Sequence, residues 1–350
     1  MQRREFLKRS AAAAAAAAGA PAILHAADKS GSKNAVVGQG EHRYECFHNW
    51  GELPPKIKWQ TTHGVAVDSA GQVYITHQGY GRDVMDTVVV FDPKGKYVRS
   101  FGKEWHTGGH GIDIRKEGGE EFLYLSHMTD GGPVVKTTLK GEVVWKKGAP
   151  PEAGVYDQKR RFRPTNVAFA PDGGFYVGDG YGSHYIHQYD KDAKWVRTFG
   201  GPGKGLGQLQ TPHGIWLDDR PGRKPTLVVA DRANARLQYF TPEGKPISVT
   251  DKGVVLFPAH FDIRGDVLLV PDLHARVSLF GKDNKLIAHL GDDAEWRKKV
   301  LDGFKVRGKP DEWQAGKFVH PHDACFDHDG NIFVAEWVQT GRITLLRRVS

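Results

Sequence analysis

Residues 61–78 read TTHGVAVDSAGQVYITHQ: a marker histidine at position 63, a short apolar strand, an Asp/Gly turn and a second apolar strand. The unit returns as GGHGIDIRKEGGEEFLYLSHM over 108–128, RPTNVAFAPDGGFYVGDGY over 163–181 and TPHGIWLDDRPGRKPTLVVADRAN over 211–234. It returns again as FPAHFDIRGDVLLVPDLHA over 257–275 and HPHDACFDHDGNIFVAEWVQ over 320–339. The markers are His63, His110, Asn166, His213, His260 and His322, spaced by 47, 56, 47, 47 and 62 residues. Self-similarity at this period indicates a propeller with one four-stranded blade per repeat. The predicted fold is therefore an all-β, six-bladed β-propeller. A residue fixed in the repeat recurs around the central axis, so five histidines should converge on one mouth of the channel.

The first repeat holds four apolar runs, near Val65–Val67, Val73–Thr76, Val88–Phe91 and Tyr97–Phe101, with turns at Asp68–Gly71 and Asp92–Gly95. The sixth holds only three: Ala324–Phe326, Ile332–Ala335 and Arg342–Leu346. Its outer strand must come from elsewhere. RYECFHNWG, residues 43–51, resembles the outer strands KYVRSFG and KWVRTFGG. An N-terminal strand over about 43–49 should thus pair beside Arg342–Leu346 and complete the last blade, removing an open sheet edge. Two insertions break the pattern. Ala149–Arg163 lengthens one connection, and Asp292–Lys317 lengthens another, within which Asp293–Leu301 has the composition of a short helix.

The chain has 350 residues, 39% hydrophobic, which suffices for a large core. That length would allow two domains, but a blade cannot bury its faces alone, so one closed ring is expected. The expected organisation is a signal over 1–27, a flexible leader over 28–41 and a single propeller domain over 42–350. Arg3-Arg4-Glu5-Phe6-Leu7-Lys8 followed by an alanine run from Ala11 to Ala18 has the form of a twin-arginine signal. It predicts a periplasmic or secreted protein. No later apolar run is long enough to span a membrane. Of the formal charge of +8, Arg3, Arg4, Lys8 and Arg9 less Glu5 supply +3, leaving +5. The remaining basic residues are scattered, without a stripe interleaved with aromatics, which argues against nucleic acid as a partner. A monomer acting on a small molecule or peptide is expected. The two cysteines, Cys46 and Cys325, fall on an outer and an inner strand of the same blade, so they are expected to stay unpaired.

Each marker stands just before an innermost strand, and the second strand runs antiparallel, so its last residues reach the same mouth. Those residues are His77-Gln78, His127-Met128, Asp179-Gly180-Tyr181, Asp231-Arg232, Asp272-Leu273-His274 and Glu336-Trp337. Three histidines and an open position form the usual catalytic zinc arrangement. His110, His213 and His322 lie on alternate blades. His63 and His260 belong to the other alternate set, whose third member, Asn166, is a poor zinc ligand. The first set is therefore the predicted site for zinc or another divalent transition metal. Asp179, Asp231 and Asp272 are expected to accept turn N–H groups. Asp323, directly after His322, either binds a hard cation near the axis or caps a turn.

Over residues 43–350 the chain resembles the NHL-repeat propellers, and within them peptidyl-α-hydroxyglycine α-amidating lyase. GHGIDI, TPHGIWL and HPHDACF are similar to that family's three zinc-histidine segments, again His110, His213 and His322. VGDGYGSHYIHQY is similar to the stretch with the catalytic tyrosine, here Tyr181, and VADRANARLQYF to one with an active-site arginine, here Arg232. The resemblance implies that Asp323 binds a structural calcium, with main-chain help near Val65 and Ile112. It also implies a second arginine at the end of VYITHQG. Gln78 stands there, with Arg82 four residues on, and these are the candidate substrate-binding residues. Gly182 follows the tyrosine where the family has a cysteine, and His320 replaces a methionine beside the third ligand.

In the reaction this resemblance implies, a hydroxyl proton is lost and a C–N bond breaks, giving an amide and glyoxylate. A metal polarises the substrate oxygens, a tyrosine beside it acts as base and an arginine grips the carboxylate. The competing reading is a non-catalytic exported propeller that presents its mouth to a peptide, glycan or protein. A calcium-dependent sugar lactonase would need an acidic metal shell, which a histidine-rich mouth does not offer.

Overall fold

The computed structural model describes residues 34–79 and 83–349. Six antiparallel sheets stand around a central axis. The first blade comprises Thr61–Val67, Val73–Gln78, Val88–Phe91 and Tyr97–Phe101, running in order from the axis outward. The middle strands read as unbroken apolar runs because neighbouring blades cover both their faces. Val73, Tyr74, Ile75 and Val88 to Phe91 are all fully buried. The outermost strand is half-exposed.

Six apolar clusters each span two adjacent blades. One joins Tyr74 and Val90 to Ile112 and Leu123, and another joins Phe333 and Ile343 of the last blade to Val65 and Ile75 of the first. No blade has a core of its own, which is why the ring behaves as one unit.

The last sheet closes as predicted. His42–Phe47 pairs antiparallel with Arg342–Arg348, in the register Cys46 to Leu346. Within the stretch whose composition reads as a flexible leader, Val36–Gln39 forms one more strand outside it. Val36 and Val37 supply the reason, since both are buried. Residues 1–33, including the twin-arginine segment, lie outside the described residues, as does Arg82. Cys46 and Cys325 sit on different strands of this blade with two strands between them.

Two devices position the mouth. Asp179 accepts backbone N–H groups from Arg163 and Ser183, each at 2.7 Å. Asp231 accepts from Gln210 at 2.7 Å, Asp272 from Leu256 and Phe257, and Glu336 from Val319 at 2.7 Å. Each carboxylate ties the end of a second strand to the loop bearing the marker residue. The insertion over 292–317 carries the one α-helix among the described residues, Ala294–Leu301. Asp293 caps it by accepting from Trp296 N at 2.9 Å. Trp296 and Val300 anchor it against Val319 and Val338 beside the mouth. No helix among the described residues is long and apolar enough to cross a membrane.

Candidate metal centre

His63, His110, His213 and His322 each lie in a β-bulge. The register of the innermost strand shifts between Thr62 and Val65, Gly109 and Ile112, Pro212 and Ile215, and Pro321 and Asp323. An extra residue at such a bulge re-aims its side chain, here toward the axis. Glycine after the marker permits the close approach that follows. A Cβ on Gly111 would lie 2.4 Å from Thr165 O, and one on Gly214 would lie 2.5 Å from Ala259 O.

Those same carbonyls orient the rings. His110 Nδ1 donates to Thr165 O at 2.7 Å, His213 Nδ1 to Ala259 O at 2.7 Å and His322 Nδ1 to His63 O at 2.9 Å. The three ring centroids form a triangle with sides of 4.7 Å. Burial pushes the His110 pKa down to about 3, and that of His213 and His322 well below the usual value, with neighbouring histidines and Arg232 adding to the effect. The rings are neutral, and with the proton on Nδ1 each Nε2 is a bare lone pair.

Two of these lone pairs, His110 Nε2 and His213 Nε2, face each other at 3.1 Å. That of His322 is buried without a partner. Bare acceptors brought together this way repel unless a cation joins them, and carbonyl-oriented imidazoles are the usual supporting shell of a metal site. His63, His110 and His322 offer ring nitrogens all within 4.8 Å of one another, so this group can hold a metal ion; His213 of the predicted trio is not part of it. Reasoning from alternate blades missed His63. The signal was present in the sequence, since His63-Gly64 repeats the His-Gly pair of His110-Gly111 and His213-Gly214.

Tyr181 joins the predicted trio. Its hydroxyl lies 2.9 Å from His213 Nε2 and 3.3 Å from His110 Nε2. Arg232 packs its guanidinium carbon 5.1 Å from the Tyr181 ring centre and 5.0 Å from that of Phe257. Its Nε is buried without a hydrogen-bond partner. Both residues line a cavity of about 400 Å³ above the histidines, together with Arg163, Phe257, Phe304 and Trp337. Trp337 is among the second-strand ends read from the sequence, whereas Arg163, Phe257 and Phe304 were not singled out there. Gln78 does not line that cavity; its Nε2 donates to Thr107 O at 2.5 Å.

Asp323 departs from the expected calcium role. Its Oδ2 accepts from Val65 N at 2.9 Å, and its Oδ1 accepts from Ala324 N at 2.8 Å and His260 Nδ1 at 2.5 Å. An aspartate committed to three N–H donors does not fit a calcium ion, which needs several free oxygen ligands. Nor does Asp323 join the histidine group. The positive charge beside it is His260 itself. Burial lowers the His260 pKa, but Asp323, Asp113 and Asp262 together raise it to about 9.

No family model matches the chain. It is 35% identical over 259 residues to peptidyl-alpha-hydroxyglycine alpha-amidating lyase 2 of Drosophila melanogaster, covering 73% of this chain and 59% of the relative. It is 29% identical over 193 residues to human NHL repeat-containing protein 3, covering 53% of each. The chain thus spans less than two thirds of either relative. The chain is a six-bladed propeller that resembles the NHL-repeat proteins and the amidating lyases. Virginiamycin B lyase from Staphylococcus aureus superposes on this propeller with a TM-score of 0.55, covering 87% of this chain and 100% of that one. At 13% identity that likeness shows the fold alone.

Proposed function

We propose that the propeller is a metal-dependent carbon–nitrogen lyase acting on a carboxylate-bearing substrate of the peptidyl-α-hydroxyglycine type. The observation that carries this reading is the packing of the His110, His213 and His322 rings against one another and against the Tyr181 hydroxyl, beneath a cavity that Tyr181, Arg232 and His322 line. His110, His213 and His322 would hold the ion, with zinc the proposed metal. When bound, it supplies Lewis acidity to a substrate oxygen. Arg232 pairs with the carboxylate, its guanidinium already fixed between two rings. Tyr181, as its phenolate, takes the proton of the α-hydroxyl and returns it to the departing nitrogen. The C–N electrons pass to the departing amide nitrogen, which takes up a proton as the hydroxyl carbon becomes the aldehyde of glyoxylate. Phe257, Phe304 and Trp337 offer an apolar wall for the peptide side and exclude water.

The test is glyoxylate release from a hydroxyglycine-terminated peptide. Tyr181→Phe should lower turnover by roughly 10²–10⁴-fold while metal content stays intact. If metal-loaded wild type releases no more glyoxylate than a chelator-stripped control, the lyase reading fails and the non-catalytic binding propeller replaces it. The twin-arginine pattern of residues 1–27 supports export. Replacing Arg3 and Arg4 by lysine in the full chain should retain it in the cytoplasm.

A further inference from the structure

We propose that His63 is a fourth imidazole ligand of the same metal centre and that Gln78 positions it. The inference rests on the reading above that His110, His213 and His322 hold a metal. Four innermost strands carry the bulge that turns a histidine to the axis, and the strand of His63 is one of them. The third blade is regular at its marker, pairing Asn166 with Gly178, and the fifth has its marker ahead of the strand Asp262–Arg264. A bulge inside the innermost strand therefore groups His63 with the other three and sets it apart from Asn166.

The surroundings of His63 agree. It is 1% exposed, yet neither ring nitrogen has a hydrogen-bond partner. Its ring centre lies 4.7 Å from that of His322 and 5.0 Å from that of His110. A histidine that only filled space here would leave two buried polar atoms unsatisfied, which folded proteins avoid.

Gln78 is the complementary orphan. Its amide nitrogen is committed to Thr107 O, while its Oε1 is buried with no donor. The register sets Gln78 opposite Thr61 on the paired strand, two positions from His63. A His63 N–H held by Gln78 Oε1 would satisfy both groups and leave the other ring nitrogen bare. The carbonyls of Thr165, Ala259 and His63 do the same for the other three rings.

A consequence follows for the metal. Four imidazoles complete the usual four-coordinate shell of zinc and leave no open position. A substrate oxygen would then reach zinc only as a fifth ligand, an expansion that catalytic zinc sites allow.

The full chain should be loaded with Co²⁺, its imidazole ligands counted by X-ray absorption at the cobalt edge, and its affinity measured by chelator competition. Wild type should show four imidazoles. His63→Ala should show three and bind at least roughly 10–100-fold more weakly, the scale of losing a supporting contact. Gln78→Leu should weaken binding and shift the visible spectrum of the bound cobalt, and Gln78→Glu, which keeps an acceptor, should restore both. Three imidazoles in wild type, with unchanged affinity in His63→Ala, overturns this inference and leaves the three-histidine site standing. Failure of wild type to bind cobalt at all overturns both. The wild-type ligand count decides the matter even if a variant does not fold.

Discussion

Replacing His260 by alanine should cost the propeller more than any other single change at its axis. The imidazolium donates to Asp323 Oδ1 at 2.5 Å and Asn166 Oδ1 at 2.7 Å, and lies 3.7 Å from Asp113 Oδ1. Asn166 Nδ2 in turn donates to Asp113 Oδ2 at 3.1 Å. One buried cation thus ties together the second, third, fifth and sixth blades. Removing one partner of a buried ion pair costs about 3–5 kcal/mol, because the other charge stays buried and uncompensated. The pKa gives a similar figure: a rise from 6.5 to about 9 corresponds to about 3 kcal/mol of stability at about 1.36 kcal/mol per pH unit. For a domain of this size, a few degrees per kcal/mol puts the expected fall in Tm at roughly 6–15 °C.

The sign of the pH dependence supplies a sharper assay. His260 has a folded pKa above its unfolded value, so its contribution is full below about pH 6.5 and is lost as pH rises through about 9. Burial raises Asp113 and Asp262 to about 7, so their contribution is lost earlier, between pH 3.8 and about 7. The interval from pH 7 to about 8 therefore belongs to His260, since higher up the unfolded thiols of Cys46 and Cys325 ionise while burial holds the folded ones protonated. Wild type should lose stability across it, and His260→Ala should be nearly flat. Calcium gives a third reading. With the imidazolium gone, Asp113 and Asp323 face each other without a cation, so the variant should gain a calcium-dependent rise in Tm that wild type lacks. A variant melting within about 2 °C of wild type, with the same slope above pH 7, would refute the internal-cation account.

Alanine at His110, His213 or His322 should abolish stoichiometric metal, measured by elemental analysis of protein purified without chelators. Arg232→Ala should mainly raise KM for carboxylate-bearing substrates and leave metal content unchanged, as steady-state kinetics against an amide-terminated analogue would show. Deleting residues 34–50 should expose the edge at Arg342–Arg348 and uncover the partners of Val36, Val37, Tyr44 and Cys46. At about 1.5–3 kcal/mol per large apolar side chain, the loss rivals the roughly 5–15 kcal/mol that holds a typical domain together. Light scattering and thermal melts should report aggregation, and a truncated chain that stays monodisperse and melts like the full one would disprove closure by this strand.

The ring was legible because its grammar is local. Turn aspartates such as Asp68, which accepts from Ala70 N and Gln72 N, recur at fixed offsets, and apolar runs mark the doubly covered strands. The missing fourth strand of the last repeat was legible for the same reason. His110, His213, His322, Tyr181 and Arg232 could be placed at one mouth because strand direction alone carries them there. What could not be read was which way each side chain turns once it arrives. Asp323 follows His322 in sequence, yet it accepts from Val65 N of the next blade and from His260 of the preceding one. Those contacts join residues 258 and 63 positions apart, and no local pattern announces them.

The marker histidines show how one repeat position yields two opposite chemistries. In sequence His213 and His260 are equivalent, 47 residues apart at the same place in adjacent units. His213 is followed by Gly214, whose missing Cβ lets the chain bulge against Ala259 and aims the ring at other neutral imidazoles. His260 is followed by the buried Phe261, stands ahead of its strand Asp262–Arg264, and turns toward Asp113 and Asp323. Burial works against the charged form of both rings. It prevails where the neighbours are histidines and arginine and is overcome where they are carboxylates. The channel therefore carries neutral, ligand-ready imidazoles toward the cavity of Tyr181 and Arg232, and a fixed imidazolium toward a second cavity of about 370 Å³ lined by the far ends of the innermost strands. The glycine after the marker, more than the histidine itself, separates the two in this chain, with His322 the exception that reaches its bulge beside an aspartate.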